Sequence, residues 1–347
     1  MTGLWGRPSA PQPPTRAMQT TSQRVEAEPE RAQPALPRPL KGAPGRASWP
    51  VLAALILPAL LVYGLFVIYP IVQSLRFSVY NWNGLGPLVN WVGLGNFVEA
   101  FNSAEFRAAV LHCFIIAVLS LALQLPFALS LAVILNQKLA GRGLFRTMFF
   151  APYVLSEVVT GVVWRQLLRP DGMVDRVIES VGPLLPGVTE EAVQEFTRPW
   201  LGDPEVALYA LFFVLTWKYF GLHMILLLAG LQGIPSELKE AAAIDGAGPW
   251  QAFRHVTLPL LGPTIRISVF LMIIGSFHVF DLVWVTTKGG PVGATQTMAT
   301  YLIDFGFGRS RFGYAGAVSI LIFAISMVLA LLYQRFVLRR DVEGALT

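Results

Sequence analysis

The sequence predicts an all-α membrane protein with six transmembrane helices, and its composition and its apolar runs indicate this fold class. Of the 347 residues, 54% are hydrophobic and only 14% are charged, whereas a soluble domain carries about 25% charged residues. Several apolar runs exceed the roughly 20 residues that a helix needs to cross a bilayer. The single cysteine, Cys113, excludes an intrachain disulfide framework. These features argue against a soluble enzyme.

The six predicted spans differ in how cleanly apolar they are. No charged residue occurs in 47–75 or in 108–137, so the first two spans are clear. The three middle spans contain Glu157, Lys218 and Asp281 within otherwise apolar sequence. An ionisable residue inside a span is costly and by default faces the bundle interior or water. The predicted spans are about 50–75, 108–136, 147–167, 206–231, 265–287 and 312–336.

Residues 1–48 differ in composition from the membrane domain, which we assign to 49–340. This tail holds seven Lys or Arg, three Glu and nine of the 25 prolines, and such a segment cannot bury enough apolar area to fold alone. It is predicted to be disordered and cytoplasmic, either as a solvated leader or in contact with anionic lipid headgroups. The net charge of +5 is not concentrated on one polar face, so no nucleic-acid partner is predicted.

The charges of the loops predict that the chain lies in the plasma (inner) membrane with both termini on the cytoplasmic side. Cytoplasmic loops of membrane proteins carry an excess of Lys and Arg. Without the tail the count is 9 inside against 8 outside, so the orientation depends on two loops. Loop 137–147 has three cations and no anion, whereas loop 169–204 has seven acids and three arginines. The acidic loop, with Trp200, is either a contact for an external protein or a plain solvated connection.

The segment 232–263, between the fourth and fifth spans, predicts two short helices that project from the bundle. Pro235 and Ser236 are helix-start signals and Gly246 is a stop signal, after which Pro249 starts a second helix that ends near Pro259. Small alanines and exposed aromatic residues suit insertion into a groove on a partner.

This segment resembles the EAA loop of the ABC-importer permeases. The pattern is Glu240-Ala241-Ala242, three residues, Gly246, nine residues, Val256, one residue and Leu258-Pro259. The family usually has isoleucine in place of Val256. Other stretches resemble the carbohydrate-uptake branch, the maltose and glycerol-phosphate type permeases. These stretches are FVIYPIVQSLRFSVYNW, VGLGNF at 92–97, GLFRTMFFAPYVLS at 143–156, AGLQGIPSELKEAAAIDGA at 229–247 and FDLVWVTTKGGP at 280–291.

The resemblance implies a division of labour among subunits. Two permease subunits form the pore. ATP-binding cassette ATPases bind the two projecting helices of each permease, segment 232–263, here called the elbow. An extracytoplasmic solute-binding protein delivers a sugar-like substrate. ATP and Mg²⁺ belong to the ATPase, and no cofactor or metal is expected in this chain, which has no Gly-Lys dipeptide and hence no phosphate-binding loop. The chain is thus expected to be a transporter subunit and not an enzyme. Glu240 is either a plain acidic residue near a helix start or an ion-pair partner of the ATPase. The ATPase-coupling residues implied are Glu240, Ala241, Ala242, Asp245, Gly246, Leu258 and Pro259.

A sugar path needs polar groups beside aromatic faces, and the fourth and fifth spans supply both. Read as one helix, Phe277, Asp281 and Trp284 share a face. The aromatic residues could instead serve only for packing between helices. Asp281 could instead form an ion pair with Lys218. Glu157 lies either in the path or near the lipid headgroups. The predicted path residues are Phe220, Gly221, Met224, Ser276, Phe277, His278, Asp281 and Trp284.

Two other function classes compete with the importer permease. A self-contained secondary transporter usually shows inverted repeats, and no clear repeat is present. A membrane enzyme acting on lipid-linked sugars needs an acidic catalytic cluster at a membrane face, and no recognisable acidic pattern occurs. The sequence does not distinguish among a monosaccharide, a disaccharide, a polyol and glycerol phosphate as the transported solute.

Overall fold

The structure is a computed structural model that describes residues 49–184, 186 and 188–338. The predicted disordered tail, 1–48, lies outside the described residues, as does the end of the predicted membrane domain beyond 338. The chain divides into two compact units, 1–60 and 61–347. The described part of the first unit, 49–60, is helical.

The described residues are helical apart from their connections, with one isolated antiparallel bridge between Tyr80 and Trp91. This confirms the all-α prediction for the part of the chain that the structure covers. The helices are α1 (Trp49–Ser78), α2 (Gly95–Asn102), α3 (Ala104–Leu135), α4 (Arg142–Val154), α5 (Glu157–Leu167), α6 (Met173–Val181), α7 (Glu190–Phe196), α8 (Ala207–Gln232), α9 (Ser236–Ile244), α10 (Pro249–Leu260), α11 (Gly262–His278), α12 (Asp281–Thr286), α13 (Met298–Tyr301) and α14 (Phe312–Val337).

Four of these helices, α1, α3, α8 and α14, are long and apolar enough to cross a membrane. Two bent pairs, α4 with α5 and α10 with α11, raise the number to as many as six if each pair is one span. The four continuous helices agree with the predicted spans within a few residues. Helix α3 begins earlier than predicted, at Ala104, because the Ser103 hydroxyl caps it by accepting a hydrogen bond from the Phe106 amide at 3.1 Å.

Helix α8 is the most buried of the long helices, and other helices pack against it near both of its ends. Near one end, Leu211 and Val214 pack with Ile116 of α3 and with Leu282 of α12. Near the other end, Met224 and Leu227 pack with the second half of α3 and with Leu261. A third cluster, which includes Phe106, Phe277 and Tyr314, joins α3 and α11 to α14.

The predicted third span, 147–167, is not one straight helix. Helices α4 and α5 meet at an angle of 96°, and Leu155 and Ser156 between them are extended. Pro152 precedes the break, and a proline in the last turn of a helix removes one of its internal hydrogen bonds. One backbone group at the break, the Leu155 carbonyl, accepts a hydrogen bond from a side chain of α8.

The predicted fifth span, 265–287, is also interrupted, and the prediction of one continuous helix is wrong. Helix α11 ends at His278 and a separate helix, α12, begins at Asp281. Val279 is extended, and its carbonyl accepts a hydrogen bond from the Thr297 hydroxyl at 2.9 Å. Because the chain leaves the helix there, the shared face proposed for Phe277, Asp281 and Trp284 does not exist.

Helix α3 contains one wide, π-helical turn, Ser120–Gln124. Such turns hold an extra residue, interrupt the regular helical register and occur frequently at functional sites. In this chain the turn separates the half of α3 that ends at Leu119 from the half that continues from Leu125 to Leu135.

Candidate functional site

A cavity of about 330 Å³ lies between α3, α8 and α11 beside the break between α4 and α5. Its volume is within the range of small-molecule sites. Eight of its fifteen lining residues carry polar groups, although the surrounding helices are apolar. They are Ser120, Gln124, Tyr153, Glu157, Tyr219, His223, Ser276 and His278.

Two consecutive residues of α8 bind the two ends of the helix break. The Lys218 ammonium, whose side chain is buried, donates to the Leu155 carbonyl at 2.6 Å. The Tyr219 hydroxyl donates to the carboxylate of Glu157, the first residue of α5. A cation beside the end of one helix and a carboxylate at the start of the next both oppose the partial charges of those helix ends. This arrangement fixes Glu157 at the cavity wall.

The two histidines of the cavity are oriented by different partners. The Nδ1 of His223 lies 3.3 Å from the Ser268 hydroxyl of α11. The Nδ1 of His278 donates to the Ile274 carbonyl at 2.8 Å, because a carbonyl oxygen can only accept. In a neutral ring the Nε2 of His278 is then a hydrogen-bond acceptor.

Two of the predicted path residues, Ser276 and His278, line this cavity. Four others are packing residues. Met224 and Phe277 are buried in separate apolar clusters, and the Phe220 ring lies 5.2 Å from that of Phe127. Gly221 lets α8 and α4 approach closely, since a Cβ atom there would lie 2.1 Å from the Phe149 carbonyl oxygen.

The remaining two predicted path residues belong to the separate helix α12. Asp281 is exposed at its first position, and the Trp284 ring stacks on Phe280 with centroids 5.6 Å apart. Neither residue lines the cavity. No ion pair joins Asp281 to Lys218 among the residues that the structure describes, so the alternative of a helix-to-helix pair is not realised.

Sequence reasoning missed several cavity residues. Ser120 and Gln124 stand in the uncharged run that predicted the second span, and Tyr153 and Tyr219 are aromatic residues in apolar surroundings. The available signal was Gln124, an amide in the middle of an otherwise apolar span. Glu157 also lines the cavity.

The predicted elbow consists of α9 and α10, joined at Gly246. Helix α9 begins at Ser236 after Pro235 and ends at Ile244, as its start and stop signals predicted. Gly246 has φ +81°, a left-handed conformation that favours glycine. The amides of Gly246 and Ala247 donate to the carbonyls of Ala243 and Ala242 and close the helix.

The elbow exposes both charge and apolar surface. Glu240, Ala241 and Asp245 are exposed and Ala242 is half-buried, while on α10 Pro259 is exposed and Leu258 is half-buried. Ile244 is 86% exposed and Trp250 is 68% exposed. Trp250 stacks on Phe253 with ring centroids 5.6 Å apart. A surface of this kind is typical of a contact site for another protein.

The acidic loop 169–204 includes the short helices α6 and α7. Asp175, which is buried, accepts a hydrogen bond from the Trp200 indole at 2.8 Å and another from the Asp171 amide at 3.1 Å. Trp200 is therefore fixed against α6 by its indole nitrogen.

Residues 92–342 match the family described as binding-protein-dependent transport system inner membrane component. The "Probable ABC transporter permease protein YurN" of Bacillus subtilis (strain 168) is 32% identical over 82% of this chain and 96% of its own length. The "Lactose transport system permease protein LacF" of Rhizobium radiobacter is 33% identical over 82% of this chain and 93% of its own length.

A solved structure shares the fold. It belongs to a bacterial ABC transporter involved in the import of the acidic polysaccharide alginate, with a TM-score of 0.71, 23% identity, and coverage of 83% of this chain and 95% of that one. The family match spans most of the chain, and the curated relatives agree with it. The chain therefore belongs to the family of binding-protein-dependent transport system inner membrane components.

Proposed function

We propose that the chain forms half of the translocation path of an ABC importer and that a sugar or related polyhydroxylated solute passes through its polar cavity. The cavity is the observation that carries this proposal, since eight polar side chains meet inside a bundle of apolar helices. The naming of a relative for lactose transport supports a sugar as the solute. A second permease subunit supplies the other half of the path.

The elbow is proposed to be the contact with the ATPase. Glu240, Ala241, Ala242, Asp245 and Gly246 form its first part, and Leu258 and Pro259 form the end of its second part. ATP and Mg²⁺ bind to the ATPase and supply the energy. The elbow must make different contacts in the two states of the ATPase, because a partner that binds both states equally shifts neither.

The proposed orientation has both chain termini and the elbow in the cytoplasm and the loop 169–204 on the outside. The solute then enters from an extracytoplasmic binding protein and leaves towards the ATPase side. The exposed elbow is compatible with a protein contact in the cytoplasm, and the acidic loop is the proposed contact on the outside. Family membership favours this importer over a self-contained secondary transporter.

Purification of the tagged chain from membranes in mild detergent tests the proposal, followed by ATPase assays with candidate sugars and the binding protein. We expect an ATP-hydrolysing subunit and a second permease to co-purify, and one sugar to stimulate hydrolysis. A chain that purifies alone and moves solute into vesicles without ATP would contradict the proposal.

A further inference from the structure

Two polar side chains of α3 lie in the cavity wall without a protein partner. Ser120 is 5% exposed and Gln124 is 4% exposed, and both line the cavity. Neither side chain forms a hydrogen bond with any described residue, whereas the other buried polar residues of the wall, Ser276 and His223, each have one within the protein. A buried amide or hydroxyl that is left unpaired destabilises the fold. The Ser120 hydroxyl and the Gln124 amide are therefore expected to form hydrogen bonds with a molecule that enters the cavity.

The spacing of four residues explains why these two groups share one wall, since side chains at this spacing lie on the same face of a helix. Ser120 and Gln124 are the first and last residues of the π-helical turn. The turn shifts the register of the helix at this point. An amide with two N–H donors and one acceptor oxygen then lies one turn away from a hydroxyl, which is suitable for binding two neighbouring hydroxyl groups of a solute.

The charges around the cavity define which solutes fit. Among the described residues, Glu157 is the only carboxylate in the wall, and no Lys or Arg lines it. Lys218 keeps its positive charge but does not line the cavity, and its ammonium donates to the Leu155 carbonyl at 2.6 Å. Tyr219 donates to one oxygen of Glu157, and the other oxygen can still accept from a hydroxyl. An anionic solute would meet this carboxylate between apolar helices, where two negative charges repel each other more strongly than in bulk water.

We propose that Ser120 and Gln124, with Glu157, determine the specificity of the path and select a neutral polyhydroxylated solute over a phosphorylated or acidic one. The proposal rests on the function proposed above. It adds the second span and the start of α5 to the solute site. Ser120 and Gln124 bind hydroxyl groups directly, and Glu157 disfavours negative charge.

The test uses the complete importer in vesicles, with its binding protein and ATP, and measures uptake of labelled lactose, maltose and trehalose. In Gln124→Leu we expect uptake of the transported sugar to fall about tenfold, the effect of one lost hydrogen bond to an uncharged partner. Ser120→Ala should lower uptake in the same direction. The melting temperature of either variant should not fall, because neither side chain bonds to the described protein.

Ser326→Ala is a matched control. The Ser326 hydroxyl is also buried and without a hydrogen-bond partner among the described residues, but it does not line the cavity. This variant should take up sugar at the wild-type rate. Normal uptake in Gln124→Leu and Ser120→Ala, or equal losses in all three variants, would overturn the proposed role of the α3 wall.

Charge selection is tested on the purified transmembrane complex without binding protein, by binding of labelled lactose or maltose against lactobionate or maltobionate. The wild type should prefer the neutral sugar, and Glu157→Gln should reduce that preference. An unchanged preference in Glu157→Gln would overturn the role of the carboxylate. A wild-type importer that moves none of the three sugars would instead contradict the proposed function, which separates the two failures.

Discussion

Arg311 and Glu99 face each other through two parallel hydrogen bonds, in which each guanidinium nitrogen donates to one carboxylate oxygen at 2.6 Å. Arg311 directly precedes α14 and Glu99 belongs to α2, so the pair joins two residues that are 212 positions apart in sequence. The Arg311 guanidinium also lies 4.4 Å from the centroid of the Tyr314 ring. Neither residue was singled out by sequence reasoning, because a long-range ion pair has no local signature.

The ion pair makes stability depend on pH. The hydrogen bonds from Arg311 lower the pKa of Glu99 below 4.5, although burial opposes this shift. A carboxyl group with a lowered pKa in the folded state contributes stability above its unfolded pKa, and that contribution is lost as pH falls through the folded pKa. Since the pair is partly exposed, we expect a contribution of only about 0.2–1 kcal/mol.

Melting temperatures in detergent test this effect. Glu99→Gln should lower the melting temperature at neutral pH, and the difference from wild type should vanish below the folded pKa of Glu99. Glu179→Gln changes an exposed carboxylate that contacts no cation among the described residues and should show no such pattern. A constant difference at every pH would contradict the prediction.

The elbow predicts an uncoupling phenotype. Glu240→Ala or Gly246→Asp should abolish uptake while the protein still inserts, because the first removes a charge from the contact and the second adds a Cβ and a charge at φ +81°. Uptake and ATP hydrolysis of the reconstituted importer are the measurements. Glu237→Ala, in the first turn of the same helix, is the control and should retain uptake. Normal uptake in both test variants would refute the elbow assignment.

The close approach of α8 to α4 predicts a steric effect at Gly221. In Gly221→Ala the new Cβ would lie 2.1 Å from the Phe149 carbonyl oxygen, so the two helices must separate, at a cost of about 1–3 kcal/mol. Gly143→Ala is a matched change on α4, where a Cβ meets nothing within 4 Å. The first variant should melt at a lower temperature than wild type, and the second should not. Equal melting of the two variants would show that the contact is unimportant.

The N-terminal tail is not expected to be needed for transport. Removal of residues 1–45 should leave transport intact, because the composition of this segment favours a solvated leader. Uptake by the shortened chain, normalised to the amount of inserted protein, is the measurement. Loss of uptake despite normal insertion would refute this view of the tail.

Sequence reasoning was successful where local rules act. The long apolar runs predicted α1, α3, α8 and α14, and the start and stop signals predicted α9. Both follow from properties of neighbouring residues, namely hydropathy over about 20 positions and the conformational preferences of proline and glycine.

The helix breaks could not be predicted in the same way, because they depend on distant partners. The break at Leu155 is bonded by Lys218, and the end of α11 is bonded by Thr297. In the cavity the same limit applies, since Gln124 and Glu157 come to line one cavity only when the helices pack. The predicted aromatic path residues Phe220 and Phe277 are buried in packing contacts, which a helical spacing alone does not distinguish from a solute path.

The wide turn of α3 has a consequence for insertions and deletions in this chain. Each residue of a regular α-helix rotates the chain by about 100°. Loss of one residue within 120–124 would close the wide turn to a regular helical turn, because the wide turn holds one extra residue, and Ala128, Ala132 and Leu135, all buried, would keep their direction. A single-codon deletion in the regular part of α3 would instead rotate the rest of the helix by about 100° and misalign its buried side chains, although the span would remain apolar.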